Sequence, residues 1–321
     1  MPDVPALEEI REAAGRIEPY AHRTPVLTCK AINAMVGAEI FFKCENFQKA
    51  GAFKFRGATN AVFSLTEDEA SRGVATHSSG NHAAALALAA RTRGVRAYVV
   101  MPQNAPQVKK DAVAGYGAEI TFCTPTLQAR EQTLAKVVEQ TGAAVVHPYN
   151  DYRIIAGQAT AALELMEDAA NLDIIMTPIG GGGLACGTAL SIRYMQPKIK
   201  AIAAEPMGAD DAYRSFRAGK LIPSENPKTI ADGLLTSLGD KTFPIVWKFL
   251  DDIVTVSEEG IARAMQCIWE RMKIVVEPSA AVPLGALLTG RLDVTTKRVG
   301  IILSGGNADM NKLPWQTGQD S

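Results

Sequence analysis

The chain has 321 residues, 47% hydrophobic and 21% charged, ordinary usage for a folded protein that excludes a disordered one. Thirty-three Lys and Arg against 34 Asp and Glu leave a net charge of −1, without the basic excess of a dedicated nucleic-acid binder. The five cysteines, at 29, 44, 123, 186 and 267, form no CxxC pair and predict reduced thiols in a cytoplasmic protein. In chain order, Met1, Pro2 and Asp3, with Glu8 and Glu9 soon after, lack the basic and apolar regions of a signal peptide. Strands are predicted over 40–44, 74–76, 96–100, 119–122, 144–146, 174–176, 200–204 and 299–303. Helices are predicted over 81–93, 107–115, 127–141, 154–169 and 258–273. Residues 174–192 carry no charge, yet Pro178 and a run of four glycines break them into strand, turn and helix, so no membrane span is expected. Strands alternating with helices predict an α/β fold with mainly parallel sheets flanked by helices.

Three turns rich in glycine or serine directly follow strands: Ser78-Ser79-Gly80-Asn81, Gly180-Gly181-Gly182-Gly183 and Ser304-Gly305-Gly306-Asn307. Ligands of open α/β sheets bind beyond the carboxyl ends of strands, so one cleft built from distant segments is expected there. Four glycines before a helix can present several N–H groups and a helix dipole to a phosphate. Gly180, Gly182 and Ala185, with Glu205 ending the next strand, also fit the dinucleotide fingerprint of a nicotinamide-dependent oxidoreductase, which stays open as an alternative. Lys54 stands between Phe53 and Phe55 in Gly51-Ala52-Phe53-Lys54-Phe55-Arg56-Gly57. An apolar setting lowers a lysine's pKa and suits it to a Schiff base with an aldehyde cofactor, although a lysine can also lay its stem on a ring with its ammonium in water. Glu205 and Asp211, with a backbone carbonyl, offer hard oxygen ligands to Mg²⁺, Ca²⁺ or Mn²⁺, or else acids at a helix start.

The Lys54 segment, the 76–82 segment, the tetraglycine turn and Leu303-Ser304-Gly305-Gly306-Asn307 occur in one order. Together they resemble the pyridoxal-phosphate serine/threonine dehydratases of fold type II, most closely the serine racemase branch. The resemblance implies two α/β domains, a large one of residues 1–52 and 150–321 and a small mobile one of 53–149 inserted in it. It implies that Lys54 carries the cofactor pyridoxal 5'-phosphate, with Phe53 and Leu184 against it. The glycines at 180–183 then cup its phosphate, Asn81 meets its ring hydroxyl and Ser304 its ring nitrogen. Ser78, Ser79, Gly80, Asn81 and His82 bind the substrate carboxylate, and Ser79 is the second acid/base, opposite Lys54. Arg130 lies near the mouth, where a second substrate carboxylate could meet it. Glu205, the Ala209 carbonyl and Asp211 form a Mg²⁺ site. The four histidines are read as structural or close to substrate, with no metal role. A homodimer acting on a small amino acid is expected, with no nucleic-acid or membrane partner. Cys29, Lys30, Ala50 and Ala84 replace polar residues of ATP-regulated relatives and argue against nucleotide activation, although Lys49, Tyr116, Lys273 and Asn307 are kept. Too few residues follow Asn307 for the C-terminal regulatory domain of biosynthetic threonine dehydratases. The expected activity is racemisation and dehydration of serine, with L-threo-3-hydroxyaspartate and threonine as alternative substrates.

Overall fold

Ten strands in two sheets carry the chain in the computed structural model, which describes residues 4–105 and 107–316. The reading of Met1–Asp3 therefore lies outside the described residues. The strands are β1 (Val26–Thr28), β2 (Glu39–Cys44), β3 (Val74–His77), β4 (Ala97–Pro102), β5 (Glu119–Cys123), β6 (Ala144–Val145), β7 (Ile174–Pro178), β8 (Lys200–Pro206), β9 (Asp252–Val256) and β10 (Arg298–Leu303). One sheet has the order β1-β2-β10-β7-β8-β9 and the other β5-β4-β3-β6. Every pairing is parallel except β1 with β2, where Val26 lies opposite Lys43. The α/β, mainly parallel expectation is met.

The larger sheet is covered on both faces, so its central strands β7 and β10 are almost continuously apolar, as a buried parallel sheet requires. Side chains still alternate. Ile175 and Ile302 join the core beneath the helices Tyr152–Asp168 and Gly183–Met195. Their neighbours Ile174, Met176, Ile301 and Leu303 join the core beneath Glu258–Met272 and Pro278–Leu288. Each such fully buried side chain contributes about 1.5–3 kcal/mol of transfer free energy. The smaller sheet packs Val74, Ala97, Val99 and Met101 against Lys54–Phe63, Asn81–Arg93 and Gln107–Gly115, and Ala75, Tyr98 and Val100 against Leu127–Thr141.

The helix Lys54–Phe63 is fixed by charge. Arg56 is fully buried in its first turn. Its guanidinium donates to both oxygens of Glu45, at 2.8 Å each, and to those of Glu164 at 2.7 and 2.8 Å. Lys43 Nζ adds 2.6 Å bonds to Glu164 and the Thr24 carbonyl. Removing one partner from such a buried cluster costs about 3–5 kcal/mol, because the rest keep an uncompensated charge. The segment before it is anchored too, with Ala52 bridged to Gly305 and Phe53 N donating to the Ser304 carbonyl at 3.0 Å. Lys54 thus opens a helix held at the carboxyl ends of β2 and β10.

Candidate active site

Lys54 Nζ donates to the Pro148 carbonyl at 2.8 Å and lies 5.1 Å from the centre of the Phe53 ring. Burial lowers its pKa from 10.5 to about 8, while the Glu277 carboxylate works in the opposite direction. Of the two phenylalanines only Phe53 lies beside the amine, since Phe55 turns into the core of the smaller sheet, and the amine bonds a carbonyl from the segment after β6. Phe53 is half-buried directly before it.

The turn 180–183 follows β7 and opens the helix Gly183–Met195, whose first residues Gly183 and Leu184 are buried. Two different constraints act on its glycines. Gly182 takes φ +89°, the left-handed region, as the helix N-cap. Gly181 does not, but a Cβ there would lie 2.4 Å from Cγ of Tyr149. The turn is a close-fitted cradle, and its N–H groups and helix dipole suit an anion such as a phosphate.

Ser78, Ser79 and Gly80 form the turn between β3 and the helix Asn81–Arg93, all half-buried. Gly80 N donates to Ser78 Oγ at 3.3 Å. Asn81 Nδ2 reaches across to Glu277, 2.9 and 3.1 Å from its two oxygens, and Asn81 Oδ1 accepts from Asn307 Nδ2 at 3.0 Å. Two of the turns and one acid thus meet, since Glu277 N also donates to Gly305 O at 3.0 Å. Burial raises the Glu277 carboxyl to about 7. Ser304 is buried at the end of β10. His82 donates through Nε2 to the Val146 carbonyl at 3.1 Å, and burial, then the Lys54 charge, lower its pKa to about 3. It is neutral, and its Nδ1 is buried with no hydrogen-bond partner.

Arg130 is half-buried on the helix Leu127–Thr141, with Nε 3.4 Å from the Thr126 carbonyl. Its charge is felt by His77, whose pKa burial lowers first and Arg130 second, and by Tyr149. The rings of His77, His147 and Tyr149 meet edge to face, at 6.1 and 4.6 Å. Among the described residues no three His, Cys, Asp or Glu side chains gather as a metal site, and His22 lies apart with Nδ1 3.2 Å from the Phe47 carbonyl.

Glu205 and Asp211 are both fully buried, and the Ala209 between them is buried too. Glu205 accepts from Ala212 N at 2.9 Å and Tyr213 N at 2.7 Å, holding the start of the helix Asp211–Ala218. This corrects the nicotinamide alternative. A ribose, far bulkier than a bare cation, finds no open face on a carboxylate that is buried and already bound to two backbone N–H groups. Neither oxygen of Asp211 has a partner at full hydrogen-bond geometry, although the Ser224 hydroxyl and the Leu238 N–H lie close enough to lower its pKa, so this hard oxygen set fits a cation. Burial raises the pKa of both acids.

Sequence reasoning missed Pro148, Tyr149 and Glu277. Tyr149 follows the carboxyl end of β6, a fourth strand end that carries no glycine to mark it. Glu277 is the N-cap before Pro278, a helix-start signal that was present.

The profile of the family described as pyridoxal-phosphate dependent enzyme matches residues 17–305. A β-hydroxyaspartate dehydratase of Paracoccus denitrificans is 52% identical over 312 residues, covering 97% of this chain and 99% of the relative. A serine racemase of Dictyostelium discoideum is 51% identical over 314 residues, 96% of either chain. The crystal structure of serine racemase from Dictyostelium discoideum superposes with a TM-score of 0.92 at 52% identity, covering 95% of this chain and 99% of that one. A half-buried lysine of lowered pKa, a glycine turn that opens a helix and this likeness agree, and the chain belongs to the pyridoxal-phosphate-dependent enzymes of fold type II.

Proposed function

We propose that the enzyme racemises serine or a close β-hydroxy amino acid and eliminates its β-hydroxyl, giving a 2-oxo acid and ammonia. The observation that carries this reading is Lys54, an amine near pKa 8 bonded to the Pro148 carbonyl, one residue before the Tyr149 ring that lies against the glycine turn. Bound pyridoxal phosphate supplies an aldehyde for the substrate amine and withdraws electrons from the substrate Cα. The protein's residues do the rest. The N–H groups of 180–183 hold the phosphate, Asn81 meets the ring hydroxyl, and Ser304 offers a hydroxyl, not a carboxylate, to the ring nitrogen. Phe53 and Leu184 flank the cofactor. The turn from Ser78 to His82 binds the substrate carboxylate. Lys54 Nζ moves the α-proton on one face, and the Ser79 hydroxyl serves the other.

A second substrate reading is β-hydroxyaspartate, which the Paracoccus relative's name supports. Arg130 favours it, because its charge reaches His77 and Tyr149 at the mouth, where a second carboxylate would gain an ion pair. In the same proposal, Glu205, the Ala209 carbonyl and Asp211 hold Mg²⁺, residues 53–149 move as one small domain, and the working form is a cytoplasmic homodimer without ATP control. Support for the compartment comes from the five free cysteines, and no helix among the described residues is long and apolar enough to cross a membrane.

Borohydride reduction of the yellow holoenzyme, followed by peptide mapping, is expected to place the pyridoxyl group on Lys54. Turnover of L-serine, L-threonine and L-threo-3-hydroxyaspartate ranks the substrates. A colourless protein, or a label on another lysine, rejects the reading.

A further inference from the structure

Residues 148 and 149 touch both poles of the site. The Pro148 carbonyl holds the Lys54 amine at 2.8 Å, and the Tyr149 side chain lies against the glycine turn at the other pole. We propose that Tyr149 is a positioning residue whose ring braces Gly181 and so fixes where the turn's N–H groups hold an anion. The proposal rests on the pyridoxal-phosphate reading for the identity of that anion.

The fit at Gly181 is specific. The three heavy atoms nearest to a Cβ built there are Cδ1, Cγ and Cδ2 of Tyr149, at 2.4, 2.4 and 2.5 Å. Gly181 does not take a left-handed φ, so its backbone would accept an alanine, and the ring is the first obstacle a side chain there would meet. Nor can the ring slide away. Its edge meets His147 at 4.6 Å, and His147 is pinned by the N–H groups of Tyr149 and Asn150, which donate to Nδ1 at 3.3 and 2.9 Å. Thr236 stands beside the phenol and lowers its pKa against the rise that burial causes. Leu234 and Leu238, on either side of Thr236, close on Gly180 and Gly182 in turn. Backbone amides held rigidly from behind bind an anion without paying for their own ordering, which is the advantage of preorganisation.

The test is a double-mutant cycle on apoprotein, read as the dissociation constant for pyridoxal phosphate by fluorescence titration. Gly181→Ala alone forces a methyl into the ring and is expected to weaken binding by about tenfold to a hundredfold, the scale of over-packing. Tyr149→Ala loses the brace and weakens binding by about tenfold, whereas Tyr149→Phe, which keeps the ring, stays within about threefold of the unmutated protein. Combining Gly181→Ala with Tyr149→Ala removes the collision, so the double variant binds more tightly than Gly181→Ala alone. Combining it with Tyr149→Phe gives no such recovery. Equal binding by both double variants, or a Gly181→Ala protein that binds as the unmutated one does, overturns the brace. Titration of the same proteins with inorganic phosphate separates the two readings. An unmutated protein that binds phosphate and not pyridoxal phosphate rejects the cofactor, and the phosphate cycle then decides the brace.

Discussion

At the residue scale, Lys54 and Glu277 work against each other. Burial disfavours the ammonium of Lys54, and the Glu277 carboxylate favours it, leaving a pKa of about 8. A protonated amine cannot attack an aldehyde, so capture of pyridoxal phosphate by apoprotein should quicken about tenfold per pH unit up to about pH 8, then level off. Glu277→Gln removes the opposing charge, and stopped-flow absorbance should show the midpoint at lower pH; an unmoved midpoint denies the coupling. Stability follows with its own sign. The folded pKa lies below the unfolded value of 10.5, so the unfolded chain binds more protons between about pH 8 and 10.5, and this residue's contribution to stability improves as pH rises through that window. Ser79 makes a separate prediction. Ser79→Ala should leave elimination of L-serine within a few-fold and cut D-serine formation by about a hundredfold, the scale of a lost positioned acid. Undiminished D-serine relative to pyruvate, in a coupled assay, would assign that face to another donor. The Lys54 setting was legible in part, because Phe53 beside it in sequence is also beside its amine, whereas the role proposed for Ser79 rests on the family resemblance. Glu277 was not legible, since its partner Asn81 lies 196 positions away and no spacing carries such a pair.

At the element scale, the junction from β8 to the helix Asp211–Ala218 carries two buried acids and no basic group bonded to either carboxylate. Glu205 spends its oxygens on the helix N–H groups, and neither oxygen of Asp211 has a partner at full hydrogen-bond geometry. The nearby Arg214 is bonded to Asp210 at 2.8 Å. A divalent cation would offset this repulsion and stabilise the folded chain by mass action. Melting curves should therefore rise by a few degrees with Mg²⁺ over chelator, about the shift of 1–2 kcal/mol in a chain of this size. Asp211→Asn should raise the melting point in chelator and abolish the response to Mg²⁺. Identical curves for the unmutated protein with and without metal would leave the two acids a purely structural junction. The acids were visible in the sequence, but their burial was not, because an exposed helix start uses the same letters. Helix prediction shows the same divide. Asn81–Arg93, Gln107–Gly115 and Leu127–Thr141 match the expected spans. Pro278–Leu288 went unseen, since nearly every residue of it is buried and no polar face sets a period. Strand β1 was missed because three residues carry too little pattern, and β9 because Asp251 and Asp252 mask its β-branched run.

At the scale of the whole molecule, alternation of strands and helices announced parallel sheets but not their partition into two. The order β1-β2-β10-β7-β8-β9 sets the first strands beside the last, and no local pattern records that crossover. The bonds between the two sheets were equally hidden. Lys109, on the helix Gln107–Gly115 against the smaller sheet, meets Asp232 at 2.5 Å. Asp232 opens the turn Asp232–Leu234, whose Leu234 packs against Gly180 of the cradle. This ion pair therefore joins a helix on the smaller sheet to the segment that packs on the glycine turn. Both side chains are partly in water, so the pair contributes no more than about 1 kcal/mol, and salt screens it. An interaction of that size cannot build the site, but on the proposal that residues 53–149 move as one small domain it biases how often that domain closes over a bound substrate. Asp232→Asn should then raise KM by up to about fivefold at low ionic strength while kcat holds. Near 1 M salt, where the screening length falls to about 3 Å, the variant and the unmutated enzyme should converge. Steady-state kinetics across that salt range decide the matter. A loss in kcat, or a KM difference that persists at high salt, would mean that Asp232 acts within the chemistry and not through closure.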